Sequence, residues 1–156
     1  MNDIRIRRAR PEDLEVLLGF EQELIKAERP MDPTIRKGKV CYYDLEEMLG
    51  ASDVALMVAE AGGRVVGSGY ARPKPARSYL DHEYYAYLGF MYTVPEFRGK
   101  GVNRKILTAL REWSLDKGFR ELRLTVYETN TQAIRAYEKA GFQKHIVEMR
   151  LEDPDL

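Results

Sequence analysis

At 156 residues the chain has the length of one ordinary domain, and 44% hydrophobic residues suffice for a core, which excludes a disordered or fibrous polypeptide. Its 25 Lys and Arg balance 25 Asp and Glu, so no net charge draws it to nucleic acid or an anionic membrane, and any anion it binds must be held locally. The single cysteine, Cys41, rules out an intramolecular disulfide or a cysteine-rich metal site and fits a reducing cytoplasm, while no stretch reaches the roughly 18 apolar residues of a membrane span.

Ile4-Arg5-Ile6-Arg7 alternates as a half-exposed strand does. Pro11 then opens a helix, with Glu12 and Asp13 at the positive end of its dipole and Leu14, Leu17, Leu18, Leu24 and Ile25 at helical spacing. That helix is expected to stop before Arg29-Pro30-Met31-Asp32-Pro33, and a short second helix is expected around Tyr43–Leu49. Val54–Ala59 reads as a buried strand, and Gly62-Gly63 turns the chain into a second strand, Arg64–Ala71. The prolines of Arg72–Asp81 mark a loop, followed by a long tyrosine-rich strand, Glu83–Val94, stopped by Pro95.

The second half alternates helix and strand. Val102–Lys117 is a helix with Ile106, Leu110 and Trp113 on one face, closed by Gly118. Glu121–Tyr127 is a strand burying Leu122, Leu124 and Val126; Thr131–Ala140 is a helix closed by Gly141. Phe142–Leu151 is expected as a last strand with Val147, Met149 and Leu151 on one side. With no repeat or linker, residues 1–156 are expected to form one α/β domain.

Between the long strand and the third helix lies Arg98-Gly99-Lys100-Gly101-Val102-Asn103. A strand, a glycine-rich turn and a helix N-terminus form the context of an anion site, because unpaired N–H groups and the helix dipole face the same point. Gly99 and Gly101 let the main chain approach phosphate oxygens, and Arg98, Lys100, Arg104 and Lys105 add charge. By itself the stretch serves a plain turn equally well. It has no Gly-Lys-Ser/Thr, so it is not a Walker loop, and it lacks the third glycine of a dinucleotide fingerprint.

Val94-Pro95-Glu96-Phe97-Arg98-Gly99-Lys100-Gly101-Val102 resembles the acyl-coenzyme A motif of the GCN5-related N-acetyltransferase (GNAT) superfamily, Arg/Gln-x-x-Gly-x-Gly/Ala. Asn130-Thr131-Gln132-Ala133-Ile134-Arg135-Ala136-Tyr137-Glu138-Lys139-Ala140-Gly141-Phe142 resembles the second landmark, in the right order. Asn103 departs from the family's small residue. The resemblance implies a mixed, mostly antiparallel sheet flanked by helices, with splayed fourth and fifth strands. It also implies acetyl transfer from acetyl-coenzyme A, without a metal, to a primary amine of a small molecule, an amino acid or a protein.

Carried onto this chain, the resemblance places the diphosphate on Arg98, Gly99, Lys100, Gly101, Val102, Asn103 and Arg104. It places the acetyl carbonyl on the main chain of Tyr92, the pantetheine amides on Val94 and the arm on Asn130. Tyr137 becomes the acid that protonates the leaving sulfur. The base is open among Glu83, His82, Asp81, Glu21 and Glu28, and Tyr84, Tyr85, Tyr87 and Tyr92 are either acceptor-pocket or core residues. His145 and Cys41 receive no role. A homodimer is compatible with the resemblance, without a sequence feature that speaks for it. The rival reading is a non-catalytic acyl-coenzyme A sensor or interaction module of the same fold.

Overall fold

A computed structural model describes residues 3–153 and 155. Its five strands form one sheet in the order β1-β2-β3-β4-β5. β1 (Ile4–Arg8), β2 (Ala55–Ala61), β3 (Arg64–Pro75) and β4 (Tyr84–Thr93) are antiparallel neighbours, and β5 (Leu122–Arg123) runs parallel to β4. The expected mixed, mostly antiparallel sheet is therefore present.

α1 (Leu14–Glu28) follows a short 3-10 turn at Pro11–Asp13. Its entry is fixed by Arg7, which donates to the Asp13 carboxylate at 2.8 and 3.0 Å and to Glu60 at 2.8 Å, joining β1, β2 and the helix start. α2 (Leu45–Gly50) begins two residues later than expected, because the Asp44 side chain accepts from the Glu47 N–H and sets the N-cap.

α3 (Val102–Asp116) buries Val102, Ile106, Leu107 and Leu110 against the sheet. Gly67 and Gly69 in β3 make that approach tight. A Cβ at Gly67 would stand 2.7 Å from Val102 Cγ1 and 3.0 Å from the Tyr92 carbonyl oxygen. A Cβ at Gly69 would stand 2.6 Å from Met91 Sδ. One hydrophobic cluster joins α1, α2, β2, β3, β4 and α3.

Three further stretches differ from the sequence expectation. β3 runs on through Arg72 and Pro73 to Pro75, where a loop was expected, paired with Tyr84–Tyr87 of β4. β2 has ended opposite Ala71, so these prolines lie where β3 has a neighbour on one side only. The strand expected at Glu121–Tyr127 shrinks to Leu122–Arg123 in ladder pairing. The strand expected at Phe142–Leu151 does not form: these residues follow α4 (Thr131–Lys139) outside the sheet, because no ladder partner lies beside them among the described residues.

Candidate active site

β4 carries a bulge where it turns toward the site. The register passes from Ser68 opposite Tyr92 to Tyr70 opposite Gly89, so Phe90 and Met91 face Gly69. Phe90 takes φ 56°, a left-handed conformation that costs a bulky residue roughly 1–2 kcal/mol. The buried Ser68 hydroxyl, donating to the Phe90 carbonyl at 2.9 Å, holds it there. Bulges beside active sites re-aim the chain that follows, and here that chain is Tyr92 to Val94.

Among the described residues β4 and β5 are in ladder register only at Ala86 with Leu122 and Tyr87 with Arg123. Past that point β4 continues to Thr93, while residues 124–127 leave the ladder. The two strands therefore open into a split, bridged near its apex by Tyr87 Oη and Thr125 Oγ1 at 2.6 Å.

At the open end, Pro95–Phe97 forms a 3-10 turn and leads to α3. Gly99 and Gly101 take φ 77° and 82°, and nothing lies within 4 Å of a Cβ built at either. Both glycines are thus required by conformation and face open space, as a cradle must. The α3 N-terminus has no side-chain cap, whereas α2 and α4 are capped by Asp44 and Asn130. Its first-turn N–H groups remain free for an anion.

The chain matches the model of the acetyltransferase (GNAT) family over residues 22–142, more than half of its length. The chain belongs to the GNAT acetyltransferase family. It is 42% identical over 57 residues to a thialysine N-epsilon-acetyltransferase of Bos taurus, a match that covers 36% of this chain and 34% of that protein. It is 29% identical over 104 residues to an aminoglycoside N(6′)-acetyltransferase of Salmonella typhimurium, covering 65% of this chain and 70% of that one. The crystal structure of an aminoglycoside N-acetyltransferase in complex with coenzyme A superposes with TM-score 0.74 at 21% identity, covering 99% of this chain and 97% of that chain. A transcriptional regulator from Bacillus halodurans superposes with TM-score 0.76 at 21% identity, covering 97% and 100%. Both share the fold.

In this acetyltransferase, several expected site residues already have structural duties. The Val94 N–H donates to the Val66 carbonyl at 2.9 Å, and its own carbonyl accepts from Phe97 at 3.0 Å, so only that oxygen has capacity left for a pantetheine amide. Tyr92 buries its ring 4.8 Å from that of Phe20, and its main chain is laddered opposite Ser68 of β3. Arg98 donates from Nε to the Thr93 carbonyl at 3.1 Å, fixing the guanidinium at the end of β4. Lys100 and Arg104 are exposed around the cradle, Val102 is buried beneath it, and Asn103 is half-buried in the first turn. Asn130 Oδ1 caps α4 by accepting from Ala133 at 3.3 Å, with its Nδ2 still available as a donor.

The base candidates separate by position. Asp81, His82 and Glu83 stand at the start of β4, about 30 Å from its far end at 3.3 Å per residue. His82 is engaged there by Asp81 at 2.8 Å and Glu121 at 2.7 Å. Glu21 is fully buried, and its Oε2 accepts from the N–H groups of Tyr42 and Tyr43 at 2.8 Å each. It anchors the segment before α2.

Glu28, at the end of α1, is half-buried, and burial raises its carboxyl above the ordinary range against a hydrogen bond from Tyr42. Its charge reaches Tyr43, Tyr127 and Tyr137. Tyr137 is itself half-buried on α4, and burial first, then Glu28 and Tyr87, push its hydroxyl up to about 12. It keeps its proton at neutral pH. The sequence singled out Tyr137, while nothing local to residue 28 signalled that the charge of Glu28 reaches it.

Among the described residues no cluster of His, Cys, Asp and Glu could hold a metal, and no helix is long and apolar enough to cross a membrane.

Proposed function

We propose that this acetyltransferase transfers the acetyl group of acetyl-coenzyme A directly onto a cationic primary amine, with Tyr137 as acid and Glu28 as the carboxylate that meets the amine. The observation that carries this reading is the uncapped α3 N-terminus with two left-handed glycines, at the open end of the split between β4 and residues 124–127.

The diphosphate lies on the N–H groups of residues 102–104, with Arg98, Lys100 and Arg104 supplying charge. The pantetheine arm runs into the split between β4 and residues 124–127, held by Tyr92 and Val94 main-chain groups and by Asn130 Nδ2 in the manner of an added strand. The amine arrives as an ammonium drawn by Glu28 and gives up a proton to it. The neutral nitrogen attacks the thioester carbon, the C–S bond breaks, and the Tyr137 hydroxyl protonates the departing sulfur. The second proton lost by the new amide nitrogen returns to the Tyr137 oxygen. Such an acid contributes about 10²–10⁴-fold.

Both relatives are named for acetylating a nitrogen of a small molecule. That supports a diffusible acceptor, as does the chain's zero net charge, which offers nothing to nucleic acid. One cysteine suits a reducing cytoplasm.

Free thiol release across a panel of amines tests the reading. Turnover is expected with at least one small cationic primary amine, and binding without turnover on any amine would return the chain to an acyl-coenzyme A sensor. Gly101→Glu should abolish stabilisation by acetyl-coenzyme A, because it sets bulk and negative charge in the cradle and forces a side chain onto φ 82°. Undiminished binding in that variant would remove the cradle from the account.

A further inference from the structure

Lys74, on β3, is the only lysine among the described residues that is not exposed. Its ammonium stands 3.7 Å from the centre of the Tyr87 ring, and no described carboxylate forms an ion pair with it. The neighbouring cations are partnered, Arg72 by Glu47 at 3.8 Å and Arg123 by Glu121 at 3.1 Å. A half-buried ammonium has lost part of its hydration, and an aromatic face replaces only some of it. The charge is short of an anion.

The surroundings of Lys74 give that anion its place. Tyr70, Arg72 and Lys74 alternate onto one face of β3, with Tyr87 and Tyr85 of β4 opposite Arg72 and Lys74. This is the face of α2 and of the segment before it, since Arg72 reaches Glu47 and Tyr70 packs 5.6 Å from Tyr43. From that pair a row of rings runs both ways. Tyr87 follows Tyr70 at 6.5 Å on one side, and Tyr42 follows Tyr43 at 5.8 Å on the other. Tyr42 is hydrogen-bonded to Glu28, and Tyr87 to Thr125 near the apex of the split. The row therefore has a carboxylate at one end and an unpaired ammonium at the other.

We propose that Lys74 receives a carboxylate on the far end of the acceptor, which makes the preferred acceptor an ω-amino carboxylate; this rests on the acetyl-transfer reading above. The amine meets Glu28, the methylenes lie along the tyrosine rings, and the carboxylate supplies the anion that Lys74 lacks. Opposite charges at the two ends fix which end of the molecule faces the thioester. An acceptor ending in a second ammonium would set like charges together at Lys74. One ending in a methyl would leave Lys74 unpaired, so both are discriminated against.

Thiol release is measured with ω-amino carboxylates from γ-aminobutyrate to ε-aminocaproate, each against the alkylamine of the same length. kcat/KM should favour at least one carboxylate over its alkylamine by about tenfold or more, the worth of one charge-assisted contact. Lys74→Met should bring that ratio to about one, through KM and not kcat, and Lys74→Arg should restore it. A wild-type ratio near one would overturn the proposal, as would a preference that survives Lys74→Met. Equal losses for both series in Lys74→Met would also overturn it, leaving Lys74 as a prop for Tyr87. Absence of turnover with every amine would count against acetyl transfer and not against Lys74. Calorimetric titration of ε-aminocaproate into the protein saturated with coenzyme A then decides, since absent binding, or binding that Lys74→Met does not weaken, would overturn the assignment.

Discussion

In the proposed mechanism Glu28 and Tyr137 have opposite tasks, and burial raises both in the direction those tasks need. A carboxyl raised by desolvation is a stronger base than a solvated one, and a tyrosine held at about 12 is never lost as an acid at neutral pH. The base must be ionised to act, so kcat/KM should rise with pH through the raised Glu28 value and level off above it. In Glu28→Gln that limb should vanish, with kcat/KM down at least tenfold at neutral pH. A wild-type limb retained in the variant would assign it to another group. Tyr137→Phe should cut kcat at least tenfold while acetyl-coenzyme A affinity stays within about twofold, because only the departing sulfur needs the hydroxyl. Unchanged turnover would take the acid role away from Tyr137.

The seat of α3 on β3 links packing to the cradle at the scale of elements. A methyl at Gly67 meets Val102 Cγ1 and the Tyr92 carbonyl, so the first turn of α3 must lift or β4 must shift. Gly67→Ala should lose about 1–3 kcal/mol of stability by overpacking, and it should also weaken acetyl-coenzyme A binding as the cradle moves. Gly19→Ala is the control. It lies within α1 with nothing inside 4 Å of the added methyl, and should be neutral or slightly stabilising in a thermal melt. Equal effects of the two substitutions would refute the close-contact argument.

The closed end of the β4–β5 split is clasped by His82 between Asp81 and Glu121, whose hydrogen bonds raise the imidazole above 6.5. A raised histidine contributes its full stability below about pH 6.5 and loses it as pH climbs through the raised value. Thermal melts from acid to mildly alkaline pH should therefore show a decline over that window which His82→Gln removes. The same decline in the variant would exclude the clasp as its source.

Elements with a local signal were readable from sequence. Helical spacing marked α1 and α3, Gly62-Gly63 marked the β2–β3 turn, and the glycine-rich stretch after Val94 marked the turn into α3. What was not readable depends on partners distant in the chain. Pro73 and Pro75 argue for a loop until it is known that β2 ends before reaching them. The alternation at Phe142–Leu151 describes a strand, but alternation says nothing of whether a neighbour exists. Likewise Glu21 and Glu28 are both acidic residues on one helix, and only the fold makes one a buried anchor and gives the other a charge that reaches Tyr137.

On the scale of the whole molecule the chain is packed in two tiers. The buried residues fall between Asp13 and Ser114, and from Leu115 onward no described residue is buried. α4, which carries Asn130 at its cap and Tyr137 in its second turn, leans on the core through half-buried Tyr137 and, just past its end, Phe142. Regions with few buried contacts open at lower free energy than the core. Amides of α4 should therefore exchange with solvent well before those of β2 and β3. Acetyl-coenzyme A would bind across both tiers, cradled by α3 on the packed side and held by Asn130 on the loose one, so opening α4 would require releasing the ligand. At a hundredfold excess over Kd the linkage is about 2.7 kcal/mol, which is roughly a hundredfold slowing of exchange. That slowing should appear at the α4 amides and be absent from the turn at Arg77–Leu80, which lies before β4 at its closed end. Exchange in α4 indifferent to saturating acetyl-coenzyme A would mean that the helix does not close on the arm, and Tyr137 would then lack the fixed position that protonating the sulfur requires.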